Sequence, residues 1–187
     1  MTDVKKKDAQ ADVVRLALTL LTITAVVAAL LAGVNAVTDP AITAGNAEKT
    51  RLAVETVLAG GGKSVDCPAV DVGVPVSEVY KGENGYAVKV APGGFGGAIE
   101  MMVGVDNAGS VSGISIIKHA ETPSLGAVAA AKGAAGENFR ESFTGLSGEV
   151  AVSKDGGEAD TISGATITSR AVANGVNAAL AVVDSMG

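Results

Sequence analysis

Three kinds of hydrophobic spacing divide this chain, and each predicts a different structural element. Residues 16–37 read LALTLLTITAVVAALLAGVNAV, about 22 positions without a charge. A helix of that length crosses a hydrocarbon core of ~30 Å. Over residues 76–118 the apolar positions alternate at period two, which is typical of strands. Residues 169–186 return to helical spacing, with apolar side chains at Val172, Val176, Leu180 and Val183.

The period-two region predicts several strands joined by tight turns. Asn84-Gly85 is a hairpin signal, and the apolar runs 99–105 and 111–118 are separated by the turn sequence at 106–109. The glycine-rich residues 92–97 are either a flexible connection or a loop that lines a ligand. We expect an antiparallel sheet closed by the C-terminal helix, which gives an α+β domain behind one N-terminal transmembrane helix.

Shorter elements are expected around the sheet. Residues 46–58 predict an amphipathic helix that ends at the glycines 60–62. A phosphate-binding P-loop is excluded there because Val57 stands where that motif needs glycine. Residues 125–139 are rich in alanine and glycine and predict a short helix, and residues 150–154 predict one more strand.

The charges around the apolar segment predict its orientation. The cations that precede it are Lys5, Lys6, Lys7 and Arg15, whereas Asp39 and Glu48 follow it. The positive-inside rule therefore places residues 1–15 in the cytoplasm and makes residues 16–37 a single-pass anchor in the cell (inner) membrane. Residues 38–75 are then a membrane-proximal helix and linker, and residues 76–187 an extracytoplasmic domain. The alternative, a cleaved signal peptide, usually has an apolar region of only ~7–15 residues.

Composition removes several classes of function. A formal net charge of −6 and a pI near 4.8 argue against nucleic-acid binding, which needs clustered cations. One cysteine, Cys67, and one histidine, His119, leave no internal disulfide and no Cys/His cluster, so we expect no metal site. The 25 glycines and the absence of tryptophan predict a core built from small side chains.

A run of hydroxyl side chains stands immediately before the C-terminal helix, where residues 160–170 read DTISGATITSR. A helix N-terminus presents unpaired N–H groups and a partial positive charge, so a phosphate attached there would be held. Arg170, in the first turn, opposes the helix dipole unless an anion compensates it. The hydroxyls of Ser163, Thr166, Thr168 and Ser169 either bind such an anion or only cap the helix, which is the commoner role of such residues.

Residues 160–166 match the pattern D-x-x-[ST]-G-A-T, and the chain resembles the FMN-binding subunits of the Rnf and Na⁺-translocating NADH:quinone reductase complexes. The resemblance covers nearly the whole chain. It includes the anchor, the closing helix and the segment HAETPSLG at residues 119–126, where Ser124 replaces the usual glycine. It implies that FMN is joined to Thr166 by a phosphoester bond, which a flavin transferase forms from FAD.

The resemblance also implies roles for the neighbours of Thr166. Around the attachment point it implies cofactor contacts for Ser163, Gly164, Ala165, Thr168 and Arg170. The small residues at 164 and 165 leave room for the transferase, which we expect to recognise Asp160. Glu121, Thr122 and Leu125 are implied to lie near the flavin and to tune its potential. The alternative is that Glu121-Thr122-Pro123 is an ordinary turn at a strand end, and His119 is either a solvent-facing residue or part of the site.

The size of the chain, near 18 kDa, resembles the G subunit of Rnf more than the longer C subunit of the quinone reductase. This implies an electron carrier, without catalytic residues of its own, in an ion-translocating ferredoxin:NAD⁺ oxidoreductase. The implied partners are a polytopic flavin subunit and iron–sulfur subunits. The face formed by Ala25, Ala28, Ala29 and Ala32 either packs on partner helices or faces lipid.

Three alternatives remain open from sequence. The chain is a carrier like the C subunit, an FMN domain that serves another reductase or a regulatory membrane protein, or an anchored binding module without a redox role. In the last case the hydroxyl run only caps the helix.

Overall fold

The computed structural model describes residues 2–68 and 70–186 and divides the chain into two compact units, residues 1–47 and 48–187. The first element is helix α1, Thr2–Val57. An 18-residue window of this helix has a mean hydropathy of 2.4 and no buried residues, so by length and composition it is able to cross a membrane. The hydroxyls of Thr19 and Thr22 donate to carbonyls one turn back, which satisfies these polar groups within the helix.

The predicted break between an apolar helix ending at residue 37 and a second helix over residues 46–58 is wrong. α1 continues through Pro40 as one helix of 56 residues. A proline inside a helix costs about 3 kcal/mol because it loses one backbone hydrogen bond and its ring crowds the preceding turn. Alanines, the best helix formers, stand on both sides of Pro40 at Ala36, Ala41 and Ala44, and the rest of the helix keeps its bonds.

Five strands form the predicted antiparallel sheet in the order of the chain. They are β1 (Lys63–Val65), β2 (Val76–Lys81), β3 (Gly85–Val90), β4 (Glu100–Asp106) and β5 (Val111–Lys118). The hairpin predicted at Asn84-Gly85 joins β2 to β3, and the amide of Gly82 donates to the carbonyl of Gly85 at 2.9 Å. Only the short edge strand β1 is absent from the prediction. This arrangement confirms the α+β class.

Helix α3, Thr166–Asp184, packs on one face of the sheet. Its fully buried residues Val172 and Val176 face the strand residues Val88, Val103 and Met101 in one core. The helix approaches closely because position 175 is glycine. A Cβ there would lie 3.0 Å from the Met101 sulfur. Burial of a Val or Met side chain contributes roughly 1.5–3 kcal/mol, so this contact anchors α3.

The end of α1 packs on the opposite face of the sheet. Val54, Val57 and Leu58 form a second cluster with Ala87 and Met102. The hydroxyl of Ser112 donates to the carbonyl of Val57 at 2.8 Å, which satisfies one of the free carbonyls at the helix end. Gly104 makes this approach possible because a Cβ there would lie 2.5 Å from the same carbonyl oxygen.

The single helix predicted over residues 125–139 is wrong. The chain instead forms a 3₁₀ turn, Gly126–Ala130, and a separate helix α2, Ala134–Glu141. Gly133, with φ of 140°, interrupts the two because this backbone conformation is not helical. The guanidinium of Arg140 then donates to the carbonyls of Ala129 and Ala131, at 2.6 and 3.2 Å.

The strand predicted over residues 150–154 is also wrong. The segment makes one isolated bridge, between Val152 and Ala159, and then a 3₁₀ turn, Ser153–Asp155, which ends at Gly156 in the left-handed region. The side-chain amide of Asn177 on α3 pairs with both backbone groups of Val150, at 2.8 Å each. The N–H and C=O groups of Val150 are thus satisfied by a side chain and do not need the hydrogen bonds of a neighbouring strand.

The turn at residues 122–125 contains a strained serine. The amide of Leu125 donates to the carbonyl of Thr122 at 3.2 Å, with Pro123 and Ser124 between them. Ser124 has φ of 63°, and among the described residues it is the only non-glycine with positive φ. Proline followed by a left-handed residue is the pattern of a type II turn, which favours glycine at the second position.

We predict that Ser124→Gly raises the free energy of unfolding by about 0.5–1 kcal/mol. The left-handed conformation costs a residue with a Cβ about 1–2 kcal/mol, and part of that gain is offset by the greater freedom of glycine in the unfolded chain. Urea unfolding of the full chain in detergent, followed by the fluorescence of Tyr80 and Tyr86 in the sheet, measures the change. Ser147→Gly is the control, because Ser147 is exposed and lacks a positive φ, and this substitution should destabilise.

Candidate functional site

An open cavity of about 330 Å³ lies where three loops meet the start of α3. Its volume is in the range of small-molecule and cofactor sites. The described residues that line it come from distant parts of the sequence and are Phe95, Glu121, Thr122, Leu125, Gly126, Lys154, Gly164, Ala165, Thr166, Ile167 and Thr168. Most of the residues that the sequence pointed to are therefore brought together. Of the predicted set, Ser163, Arg170 and Asp160 are not part of this lining.

Thr166 is the first residue of α3, which begins three residues before the predicted start. The N-cap position is occupied by Ala165, whose side chain has no hydrogen-bonding group. The Ser169 hydroxyl donates backward to the carbonyl of Ala165 at 3.0 Å and accepts from the amide of Ile162. The interpretation that the hydroxyl run caps this helix is therefore wrong. The first amides of α3 have no side-chain cap, so no side-chain hydrogen bond offsets the partial positive charge at the helix end where the half-buried Thr166 lies.

A buried carboxylate organises one wall of the cavity. Glu121 is 6% exposed, and its two oxygens accept from different segments of the chain. The amide of Gly96 donates to Oε1 at 2.9 Å, and the hydroxyl of Thr168 donates to Oε2 at 2.5 Å. Glycines at 94 and 126 leave space for it, since a Cβ at either position would lie 2.4 Å from a carboxylate oxygen. Glu121 thus ties the glycine-rich loop to the first turn of α3.

The glycine-rich loop at residues 92–97 is an ordered turn whose tip lines the cavity. The amide of Gly94 donates to the carbonyl of Gly97 at 2.8 Å, and that of Ile99 donates to the carbonyl of Pro92 at 2.9 Å. This turn presents Phe95, which is 70% exposed. The ligand-lining interpretation of the loop therefore fits the structure better than a flexible connection.

Three apolar side chains surround the mouth of the cavity and remain exposed. Phe95 is 70% exposed, Ile167 is 51% exposed and Leu125 is 42% exposed. Gly164 leaves space between two of these segments, because a Cβ there would lie 3.1 Å from the Leu125 side chain. Its φ of 77° is also a conformation that glycine adopts without strain. An apolar, flat ligand would cover this exposed surface.

Lys154 is a site residue that sequence reasoning missed. Its ammonium group lies 3.4 Å from the Thr166 hydroxyl oxygen, and the residue lines the cavity. The expected strand over residues 150–154 concealed it, because a strand would not direct this side chain to α3. The turn sequence Asp155-Gly156-Gly157, immediately after it, was the available signal.

Arg170 has a different partner from the one that its position suggested. Its guanidinium forms a two-pronged ion pair with the Asp155 carboxylate, at 2.7 and 2.5 Å. These hydrogen bonds lower the pKa of Asp155 and raise the pKa of Arg170. The anion that compensates this cation in the described structure is therefore a side chain of the protein. Arg170 therefore does not need a ligand anion to compensate its charge.

Two further candidates lie outside the cavity wall. Asp160 is exposed, and its backbone amide donates to the hydroxyl of Ser142 at 2.9 Å. The ring nitrogen Nδ1 of His119 accepts from the backbone amide of Glu121 at 3.2 Å. His119 therefore supports the turn that carries Glu121, although the ring itself is not among the lining residues.

Comparison with known proteins gives a family for the domain that contains this cavity. Residues 94–181 match the family model of the FMN-binding domain, a range that includes every residue of the cavity lining. The G subunit of the Na⁺-translocating ferredoxin:NAD⁺ oxidoreductase complex of Acetobacterium woodii is 35% identical, with 93% of each chain covered. The G subunit of an ion-translocating oxidoreductase complex of Methanosarcina acetivorans is 31% identical, over 93% of this chain and 96% of that one.

A relative from a third organism matches a shorter region. The G subunit of the ion-translocating oxidoreductase complex of Cronobacter sakazakii is 40% identical over 53% of this chain and 50% of its own length. The two longer matches cover the apolar helix as well as the domain that contains the cavity. The chain therefore belongs to the G-subunit (Rnf) family of ion-translocating oxidoreductase complexes.

Proposed function

We propose that this chain is the membrane-anchored electron-carrier subunit of an ion-translocating ferredoxin:NAD⁺ oxidoreductase, with FMN joined covalently to Thr166. The observation that carries the proposal is the position of the Thr166 hydroxyl. It lies at the uncapped N-terminus of α3, in the wall of a cavity of about 330 Å³, inside the segment that matches the FMN-binding domain.

The residues around the cavity fit FMN in three parts. The exposed apolar side chains of Phe95, Leu125 and Ile167 suit an aromatic ring system. The polar groups of Thr122 and Glu121 suit the ribityl hydroxyls and ring edge. The helix N-terminus and the ammonium of Lys154 suit a phosphate. When bound, FMN would supply the ability to accept and release electrons one at a time.

Attachment requires only a hydroxyl from this chain. The Thr166 oxygen attacks the flavin-side phosphorus of FAD, which is held by a flavin transferase. The new O–P bond replaces the pyrophosphate O–P bond, AMP leaves, and the hydroxyl proton passes to a base of the transferase. Asp160 is exposed, so the transferase is able to recognise it, and Gly164 and Ala165 leave the hydroxyl approachable.

The membrane arrangement follows from α1 and its flanking charges. The apolar side chains over residues 16–37 are all exposed within the chain, so lipid or partner helices must cover them. The cations nearest this segment stand before it, which supports a cytoplasmic N-terminus and an extracytoplasmic position for the domain that follows. The relatives are subunits of complexes, and we infer that this chain passes electrons between the cofactors of neighbouring subunits.

We predict that Thr166→Val abolishes covalent flavin without unfolding the domain. The full chain is co-expressed with a flavin transferase, and flavin fluorescence is read from the denatured band on a gel. Wild type should fluoresce, and Thr166→Val should not, because valine has a similar shape but offers no oxygen to phosphorus. Thr144→Val, an exposed threonine outside the cavity, is the matched control and should fluoresce as wild type does.

A dark wild-type band contradicts the proposal if the same transferase labels a control substrate. It would favour an anchored binding module without a redox role. A fluorescent Thr166→Val band would instead place the attachment at another hydroxyl, and peptide mass mapping would identify it.

We predict that Glu121→Gln lowers the free energy of unfolding of the flavin-free chain by about 1–2 kcal/mol. The amide has one acceptor oxygen, so if it accepts from Gly96 its NH₂ group faces Thr168, whose hydroxyl must change from donor to acceptor, and both charge-assisted bonds are weakened. The measurement is urea unfolding of the full chain in detergent. Glu137→Gln, at an exposed site on α2, should leave the stability within about 0.5 kcal/mol of wild type.

Glu121→Gln should also raise the midpoint potential of the bound flavin by roughly 20–60 mV, because loss of a nearby negative charge favours the reduced form. Spectroelectrochemical titration of flavin-loaded protein tests this. An unchanged potential together with lowered stability would mean that Glu121 shapes the cavity without acting on the flavin.

A further inference from the structure

Two cations stand near the start of α3, and only one of them faces the hydroxyl of Thr166. The ammonium of Lys154 is 3.4 Å from that oxygen. The guanidinium of Arg170 points to Asp155, with both oxygens of that carboxylate occupied. Within the described residues Lys154 forms no salt bridge, and its charge acts on the neighbouring Asp155 carboxylate only at longer range.

The turn that carries Lys154 is held in one conformation from both sides. The amide of Lys154 donates to the hydroxyl of Thr161 at 3.2 Å, and the amide of Ser153 donates to the carbonyl of Ala159 at 2.6 Å. The turn closes tightly, because a Cβ at Gly157 would lie 2.0 Å from the carbonyl oxygen of Ala151. From this bonded turn the exposed side chain of Lys154 reaches the Thr166 hydroxyl.

The ion pair between Arg170 and Asp155 has two effects on this turn. It links the turn to the second turn of α3, the helix that begins at Thr166. It also occupies the carboxylate next to Lys154 in the sequence, which would otherwise be free to attract the ammonium away from the cavity. Arg170 therefore acts on the site through Asp155, at a distance from the hydroxyl.

We propose that Lys154 is the cation that binds the phosphoryl group during its transfer to Thr166, and that Arg170 and Asp155 are positioning residues for it. This inference rests on the proposed function. During transfer the Thr166 oxygen forms its bond to phosphorus as the bond to AMP breaks, and negative charge gathers on the phosphoryl oxygens. The ammonium of Lys154 stabilises that charge and afterwards neutralises the single charge of the phosphodiester.

The test measures the initial rate of covalent labelling with purified flavin transferase and FAD. Full-length protein in detergent is sampled over time, and the fluorescence of the denatured band gives the flavin incorporated. Lys154→Gln should label about tenfold more slowly than wild type, as expected for one charge-assisted contact worth about 1.4 kcal/mol. Lys154→Arg should restore most of the rate. Lys132→Gln, at another exposed lysine, is the matched control and should label at the wild-type rate.

The role of Arg170 is tested by a pair of variants. Arg170→Gln should label more slowly, by about threefold, because the freed carboxylate of Asp155 attracts Lys154. Adding Asp155→Asn to that variant should recover part of the rate, since the competing charge is gone. If Arg170 contacted the phosphoryl group itself, the second substitution would bring no recovery.

Measurements on the flavinylated product distinguish loss of the lysine charge from loss of folding. The ³¹P resonance of the flavinylated protein should shift in Lys154→Gln and return toward its wild-type position in Lys154→Arg. Urea unfolding should be the same for wild type and Lys154→Gln, because this side chain is exposed.

The failures are distinguishable. A wild type that is never labelled, beside a control substrate that is, overturns the proposed function and this inference with it. Normal labelling of wild type and an equal rate for Lys154→Gln overturns the inference alone. Equal slowing by Lys132→Gln also overturns it, because the effect would then reflect net charge at the transferase surface.

Discussion

The carboxylate of Glu121 joins three of the segments that line the cavity. It accepts from Gly96 in the loop before β4 and from Thr168 in the first turn of α3, while its own backbone belongs to the turn after β5. Burial of a charged group without partners costs several kcal/mol, so these two donors make its position tolerable. The glycines at 94 and 126 exclude any side chain from the same space. Without this contact nothing else in the described structure bonds the glycine-rich loop to α3 through side chains.

The small residues of the core decide how near α3 comes to the sheet. Gly175 allows the helix to approach Met101 and Pro92, and the alanines at 171, 173, 178 and 179 are buried on the same helix. The close packing of α3 on the sheet fixes the axis of the helix and therefore the location of its first turn. Gly104 has the same effect on the opposite face, where it admits the end of α1. The abundance of alanine and glycine thus sets how closely the helices approach the sheet, and with it the position of the first turn of α3 at the site.

The electrostatics of the site combine the dipole of α3 with the charge of a nearby lysine. The first amides of α3 have no side-chain cap, and Lys154 adds a full charge on the same side of Thr166. Arg170 would add a second, but Asp155 holds it in an exposed ion pair. The chain is acidic overall, so this small region of positive potential is local. An anion is therefore favoured at Thr166 more than elsewhere along the hydroxyl run.

The sequence alone determined the features that depend on local periodicity and motifs. The alternation over residues 76–118 predicts the antiparallel strands, helical spacing predicts α3, and the run DTISGAT is the basis for expecting FMN at Thr166. Only the tertiary structure decided the rest, because long-range contacts override weak local preference. The side chain of Asn177 on α3 hydrogen-bonds the backbone of Val150 where a strand was predicted, and Asp155 forms an ion pair with Arg170. The segment is therefore a turn, from which Lys154 reaches Thr166. Partners separated by 12 to 27 positions leave no periodic trace in a sequence, since their spacing reflects packing and not the geometry of one element.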